Sequence, residues 1–144
     1  MPANPSPPAR KWILVVDDNA RLRDLWINAL ERAGYAAIGS QDGLAAAELI
    51  RDLFPDLIIL DLRMPRTSGW DFLEIIRAHP RWQKLPVLIV SGFLEDRGPI
   101  AERGLNIVGR MAKPVTINEL LEKVRAVTGP GTSSGKSSSP RAGA

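Results

Sequence analysis

At 144 residues, with 44% apolar and 24% charged side chains, the chain is sized for one soluble globular domain and is too short for two good cores. The absence of cysteine excludes a disulfide framework and a thiolate metal site, and a single histidine, His79, makes a histidine metal site or a Ser-His-Asp triad hard to build. The net charge of +3 does not make a nucleic-acid face: between Arg10 and Thr128, 17 Lys and Arg are scattered among all 16 Asp and Glu, with no stripe and no aromatic interleaving.

Residues 1–10, "MPANPSPPAR", lack the apolar core of a secretory signal and read as a flexible Pro-rich arm. The run "WILVV" (12–16) reads as a strand buried on both faces, and it ends abruptly in two adjacent carboxylates, Asp17 and Asp18. At about 4 Å and an effective dielectric of ~20, two such charges repel by roughly 4 kcal/mol, so a cation is expected beside them. Asp18 has a plainer reading as a helix N-cap. Leu22, Leu25, Trp26, Ala29, Leu30 and Ala33 then form one helical stripe that Gly34 stops. On this helix Ile27 falls roughly 140° from Leu22, off the stripe, and is expected to be exposed.

A weaker strand, "YAAIG" (35–39), leads to a second helix opened near Asp42 and carrying Leu44, Ala47, Glu48 and Leu49. The third strand, "DLIIL" (56–60), ends on Asp61, and Trp70, Phe72, Leu73 and Ile76 mark a third helix after Ser68-Gly69. His79, followed by Pro80, reads as a helix-end or loop residue. The fourth strand, "PVLIV" (86–90), ends on Ser91. The stretch "LEDRGPIAERG" carries Gly98-Pro99 and predicts a short fourth helix starting at or just after Pro99. A fifth strand, "NIVGRM" (106–111), precedes Lys113-Pro114. The last helix holds Ile117, Leu120, Leu121, Val124 and Val127, with Thr116 and Glu119 as a capping box. Residues 129–144 are rich in Gly, Ser and Pro and read as a disordered tail. Its "GKS" (135–137) matches part of a phosphate-binding P-loop, but Pro130 stands where that motif needs Gly, and no strand or helix flanks it.

Five strands alternating with five helices predict an α/β domain over residues 11–128, a doubly wound parallel sheet with right-handed crossovers. Ligands in such sheets gather outside the carboxyl ends of the strands. Asp17, Asp18, Asp61, Ser91 and Lys113 all sit at those ends. Each alone has a bland reading as a cap, a turn or a strand exit, but five polar groups at four strand ends are hard to place by accident. No apolar run approaches the roughly 18 residues of a membrane span.

The segments "VVDDN" (15–19), "LIILDLRMPRTSGW" (57–70), "VLIVSGF" (87–93) and "AKP" (112–114) resemble the receiver domain of response regulators, the CheY-like proteins of two-component signalling. The resemblance implies a flavodoxin-like sheet with strand order 2-1-3-4-5. It further implies that Asp61 is a phosphoacceptor, charged by a histidine kinase or a histidine phosphotransfer protein. Asp17, Asp18, Asp61 and the backbone carbonyl of Arg63 would hold one Mg²⁺, with Asp18 a direct ligand and Asp17 acting chiefly through water. Ser91 and Lys113 would each meet a phosphoryl oxygen. The metal would then be the cation that the paired acids require, with Lys113 as a second, built-in one. Met64-Pro65 and Gly69 read as structural, Pro stiffening the loop and Gly permitting a turn.

One position departs from the family pattern. Where an aromatic switch residue is usual, three residues before the lysine, stands Arg110, whose always-charged head cannot fill an apolar pocket, so it reads as a surface residue. Residues 91–104 are the segment expected to respond to phosphorylation. With only 16 residues beyond Thr128, the expected function is a free-standing cytoplasmic receiver, a phosphoacceptor rather than an enzyme, that signals by protein contact without nucleic acid or membrane. Two alternatives compete with it. One is a phosphorylation-independent interaction module. The other is a Mg²⁺-dependent phosphatase with an Asp nucleophile, which wants a second Asp two residues on, where Arg63 stands.

Overall fold

Consecutive aliphatics such as Ile13, Leu14, Val15 and Val16 point to opposite faces of a strand, so an uninterrupted apolar run needs a core on each side. The computed structural model, which describes residues 10–64, 68–92 and 104–131, provides two such cores. Five strands, β1 (Trp12–Val16), β2 (Ala36–Ser40), β3 (Leu57–Leu60), β4 (Pro86–Ser91) and β5 (Asn106–Ala112), pair in parallel in the order β2-β1-β3-β4-β5. Helices α2 (Gly43–Asp52) and α3 (Gly69–Arg77) cover one face, packing Ala46, Ile50, Phe72, Leu73 and Ile76 on Leu14, Ile58 and Ile89. Helices α1 (Ala20–Arg32) and α4 (Ile117–Thr128) cover the other, packing Trp26, Leu30, Leu120 and Val124 on Ile13, Val15, Ile59 and Val90. A short 3₁₀ turn spans Trp82–Lys84. The helix expected near Pro99 lies outside the described residues, as do residues 1–9 and 132–144.

Local chemistry sets the helix ends. Asp42 caps α2 by accepting from the Ala45 N–H at 2.8 Å. The Thr116–Glu119 capping box forms in both directions, at 2.9 and 3.1 Å, and those hydrogen bonds from Thr116 hold the Glu119 carboxyl below its usual range. Ser68 and Asp71 make a second box at α3. Gly34, at φ +98°, ends α1 in a conformation that favours glycine.

Two surface expectations need correction. Ile27 is half-buried and packs with the α1–α4 core, whereas Leu25, expected on the buried stripe, is 52% exposed. Leu44, placed with the apolar face of α2, is also exposed, and Ala46 and Ile50 take the core positions instead. Both helices are rotated from the phase that their largest side chains suggest. Among the described residues no helix is long and apolar enough to cross a membrane.

Strand β5 carries an irregularity that alternation does not reveal. Val87 pairs with Ile107 but Leu88 pairs with Gly109, so Val108 is left over as a bulge. The shifted register sets Ser91 beside Ala112, and the Lys113 N–H donates to the Ser91 carbonyl at 2.9 Å.

Candidate functional site

The carboxyl ends of β1, β3 and β4 and the exit of β5 deliver Asp17, Asp61, Ser91 and Lys113 to one rim. Asp17 and Asp18, neighbours in the chain, part company: Asp17 is wholly buried and Asp18 exposed. Asp17 Oδ1 accepts the Asn19 N–H at 2.9 Å, and its Oδ2 accepts from Lys113 Nζ at 2.7 Å. The N-cap of α1 is Asn19, whose side chain accepts from the Leu22 N–H, so Asp18 does not serve as the cap. Arg23, one turn into α1, donates to the Asp17 carbonyl at 2.8 Å.

Asp61 is 5% exposed. Its Oδ1 accepts from the Ser91 hydroxyl at 2.9 Å and from the Arg63 N–H at 3.2 Å, and its Oδ2 lies 3.4 Å from Lys113 Nζ. Burial pushes the Asp61 carboxyl above its usual range, and the Asp17 charge adds to the rise. Lys113, Ser91 and the Arg63 amide oppose it without cancelling it. The cation expected beside the paired acids is thus present in the chain itself: Lys113 bridges Asp17 and Asp61. Its peptide bond to Pro114 is cis.

Asp17, Asp18 and Asp61 can each offer a carboxylate oxygen, all within 4.8 Å of one another. Three hard, anionic oxygens at that spacing suit a small divalent cation such as Mg²⁺, and one ammonium does not balance three carboxylates. The Arg63 side chain is exposed, and its backbone amide bonds Asp61. Arg63 therefore does not offer the second acid that an Asp-nucleophile phosphatase wants.

Gly69 has a different reason from the turn expected of it. A Cβ there would lie 2.5 Å from the Asp61 carbonyl oxygen and 2.6 Å from Leu62 Cα, so glycine lets α3 pack directly on the acceptor backbone. Arg110 pairs in register with Ile89, which faces the α2–α3 side, and it is exposed. His79 is also exposed, its ring 4.1 Å from that of Trp82 and remote in sequence from every strand end of the rim.

Three residues near the site carry no sequence signal of their role: Asn19, Arg23 and Trp26. The first two tie α1 to Asp17. Trp26, 1% exposed, lies beneath Lys113, whose Nζ is 5.8 Å from the ring centroid.

Comparison with known proteins gives a consistent picture. Residues 13–125 match the response regulator receiver domain family. The chain is 32% identical over 126 residues to the phosphate regulon transcriptional regulatory protein PhoB of Pseudomonas aeruginosa, an alignment covering 85% of this chain and 55% of PhoB. It therefore spans about half the length of that relative. The polar-differentiation response regulator DivK of Brucella ovis is 27% identical, with 83% of this chain and 97% of DivK covered. Among solved structures, the chemotaxis protein CheY4 of Vibrio cholerae superposes with a TM-score of 0.75 at 25% identity, covering 83% of this chain and 99% of CheY4.

Proposed function

The chain belongs to the response regulator receiver domain family, and on that premise we propose that it accepts a phosphoryl group on the Asp61 carboxylate in a Mg²⁺-dependent reaction. The donor is a phosphohistidine of a histidine kinase or histidine phosphotransfer protein, and the output is a phosphorylation-dependent contact of a free-standing cytoplasmic receiver with a partner protein. One observation supports this most: Lys113 and the Ser91 hydroxyl converge on the same buried carboxylate, which shares its pocket with two further acids.

In the transfer an Asp61 oxygen forms a bond to phosphorus. The phosphorus–nitrogen bond breaks, and the imidazole of the donor keeps the electron pair. Such a reaction needs in-line positioning and charge neutralisation more than covalent help. Asp17, Asp18, Asp61 and the Arg63 carbonyl would hold the Mg²⁺, which supplies positive charge between the acids and the incoming phosphoryl oxygens. Ser91 and Lys113, now on Asp61, would turn to phosphoryl oxygens once the acyl phosphate forms. The long 3.4 Å contact from Lys113 to Asp61 is the one most readily given up.

Incubation with phosphoramidate and Mg²⁺ tests this directly. Intact-mass spectrometry is expected to show one added phosphoryl group, absent after Asp61→Asn and suppressed by EDTA. Equal labelling of the Asp61→Asn variant would overturn the assignment. A native chain that never labels would favour a phosphorylation-independent interaction module.

A further inference from the structure

We propose that Trp26 is a positioning residue for Lys113, its indole face holding the ammonium over the gap between Asp17 and Asp61. The proposal rests on reading Lys113 as the cation that meets the phosphoryl group. Lysine is a point charge on a flexible four-carbon stem, so a partner on one side leaves it many other places to go. Here Nζ has Asp17 at 2.7 Å, Asp61 at 3.4 Å and the Trp26 ring at 5.8 Å from its centroid. Tryptophan is the strongest of the aromatic partners for a cation, and the contact strengthens where water is excluded.

A second observation argues that volume alone does not explain this side chain. The indole Nε1 is buried and has no hydrogen-bond partner among the described residues. Leaving a donor unpaired in a core is unfavourable, and Leu or Phe fills such a position without that penalty. What tryptophan adds is its π face, and that face is turned to Lys113.

The ring is also held in place. Asn19 caps α1 at its first turn, and Arg23, three residues before Trp26 and so on the same side of the helix, is bonded to the Asp17 carbonyl. Helix α1 therefore fixes the indole relative to the acid that Lys113 pairs with. Removing Lys113's partner on Asp61, as phosphoryl transfer does, leaves the ammonium on the ring and Asp17 rather than adrift, ready for a phosphoryl oxygen.

Two measurements decide the matter. In the metal-free native chain, the Cε protons of Lys113 are expected upfield of those of the other lysines through the ring current of Trp26. Trp26→Phe should retain part of that shift and Trp26→Leu should abolish it. Beryllofluoride binding in the presence of Mg²⁺, followed by ¹⁹F NMR, should weaken about fivefold in Trp26→Leu and be largely restored in Trp26→Phe. In a Lys113→Met background, Trp26→Leu should weaken binding no further. An unshifted Lys113 signal in the native chain would overturn the proposal. So would an equal loss of beryllofluoride binding with and without Lys113, which would make Trp26 core packing only. If the native chain binds no beryllofluoride, the phosphoryl-site reading fails, while the ring-current comparison still decides whether Trp26 holds Lys113.

Discussion

Burial pushes the Asp61 carboxyl above its usual range, so in the metal-free chain its charge works against the fold. A group whose folded pKa is raised contributes stability below its unfolded pKa, and that contribution disappears as pH rises through the folded value. Asp61→Asn in EDTA should therefore raise the urea midpoint at pH 7, with the advantage shrinking as the solution is acidified below the ordinary carboxylate range. Urea titrations of both chains at several pH values check this; a lower midpoint for the Asp61→Asn variant at pH 7 would show that the bonds from Ser91 and Lys113 outweigh desolvation. The acids themselves were legible from the sequence, because an apolar run that stops on Asp has few explanations. The division between them was not. That Asp17 turns inward and Asp18 outward depends on the Asn19 amide and on the distant Lys113, neither of which local pattern specifies.

At the scale of elements, α1 and α3 show where periodicity runs out. The stripe on α1 is correct in its main members, since Trp26 and Leu30 are buried, but Leu25 and Ile27 exchange places. The sheet and α4 both press on α1, so its buried arc is not centred where the largest side chains suggest. Ile27→Asp should accordingly destabilise the chain by about 1–3 kcal/mol, and Leu25→Asp by less than about 0.5 kcal/mol, as measured by chemical denaturation. Leu25 borders a groove of about 440 Å³ with Ala29, Ile117 and Leu121 and is the apolar side chain that α1 leaves accessible there. At the start of α3, Gly69→Ala would drive a methyl group into the Asp61 and Leu62 backbone, which cannot yield as a flexible side chain would. The expected cost is about 1–3 kcal/mol, accompanied by slower phosphoramidate labelling because the strained atoms belong to the acceptor itself. Unchanged stability and labelling would mean that α3 can shift without moving Asp61. The bulge at Val108 escaped the sequence for another reason: register is a relation between strands, and β5 alone reads as an ordinary apolar run.

Across the whole molecule, the five-stranded parallel sheet works as a frame whose one edge collects acids, a hydroxyl and an ammonium from residues 17 to 113. That much follows from alternation and from the rule that ligands gather at strand ends, because both depend on patterns that the chain displays openly. What binds the frame to its chemistry is finer: a close approach at Gly69, a register shift in β5, and an indole beneath a lysine. The central claim is that this edge directs a phosphoryl group to one carboxylate among three that lie within 4.8 Å. Phosphorylating the chain with phosphoramidate and Mg²⁺, reducing the acyl phosphate with borohydride, and mapping the peptides by mass spectrometry measures that choice directly. The expected result is homoserine at position 61 alone. Homoserine at position 17 or 18, or a phosphoryl group that borohydride does not remove, would contradict it.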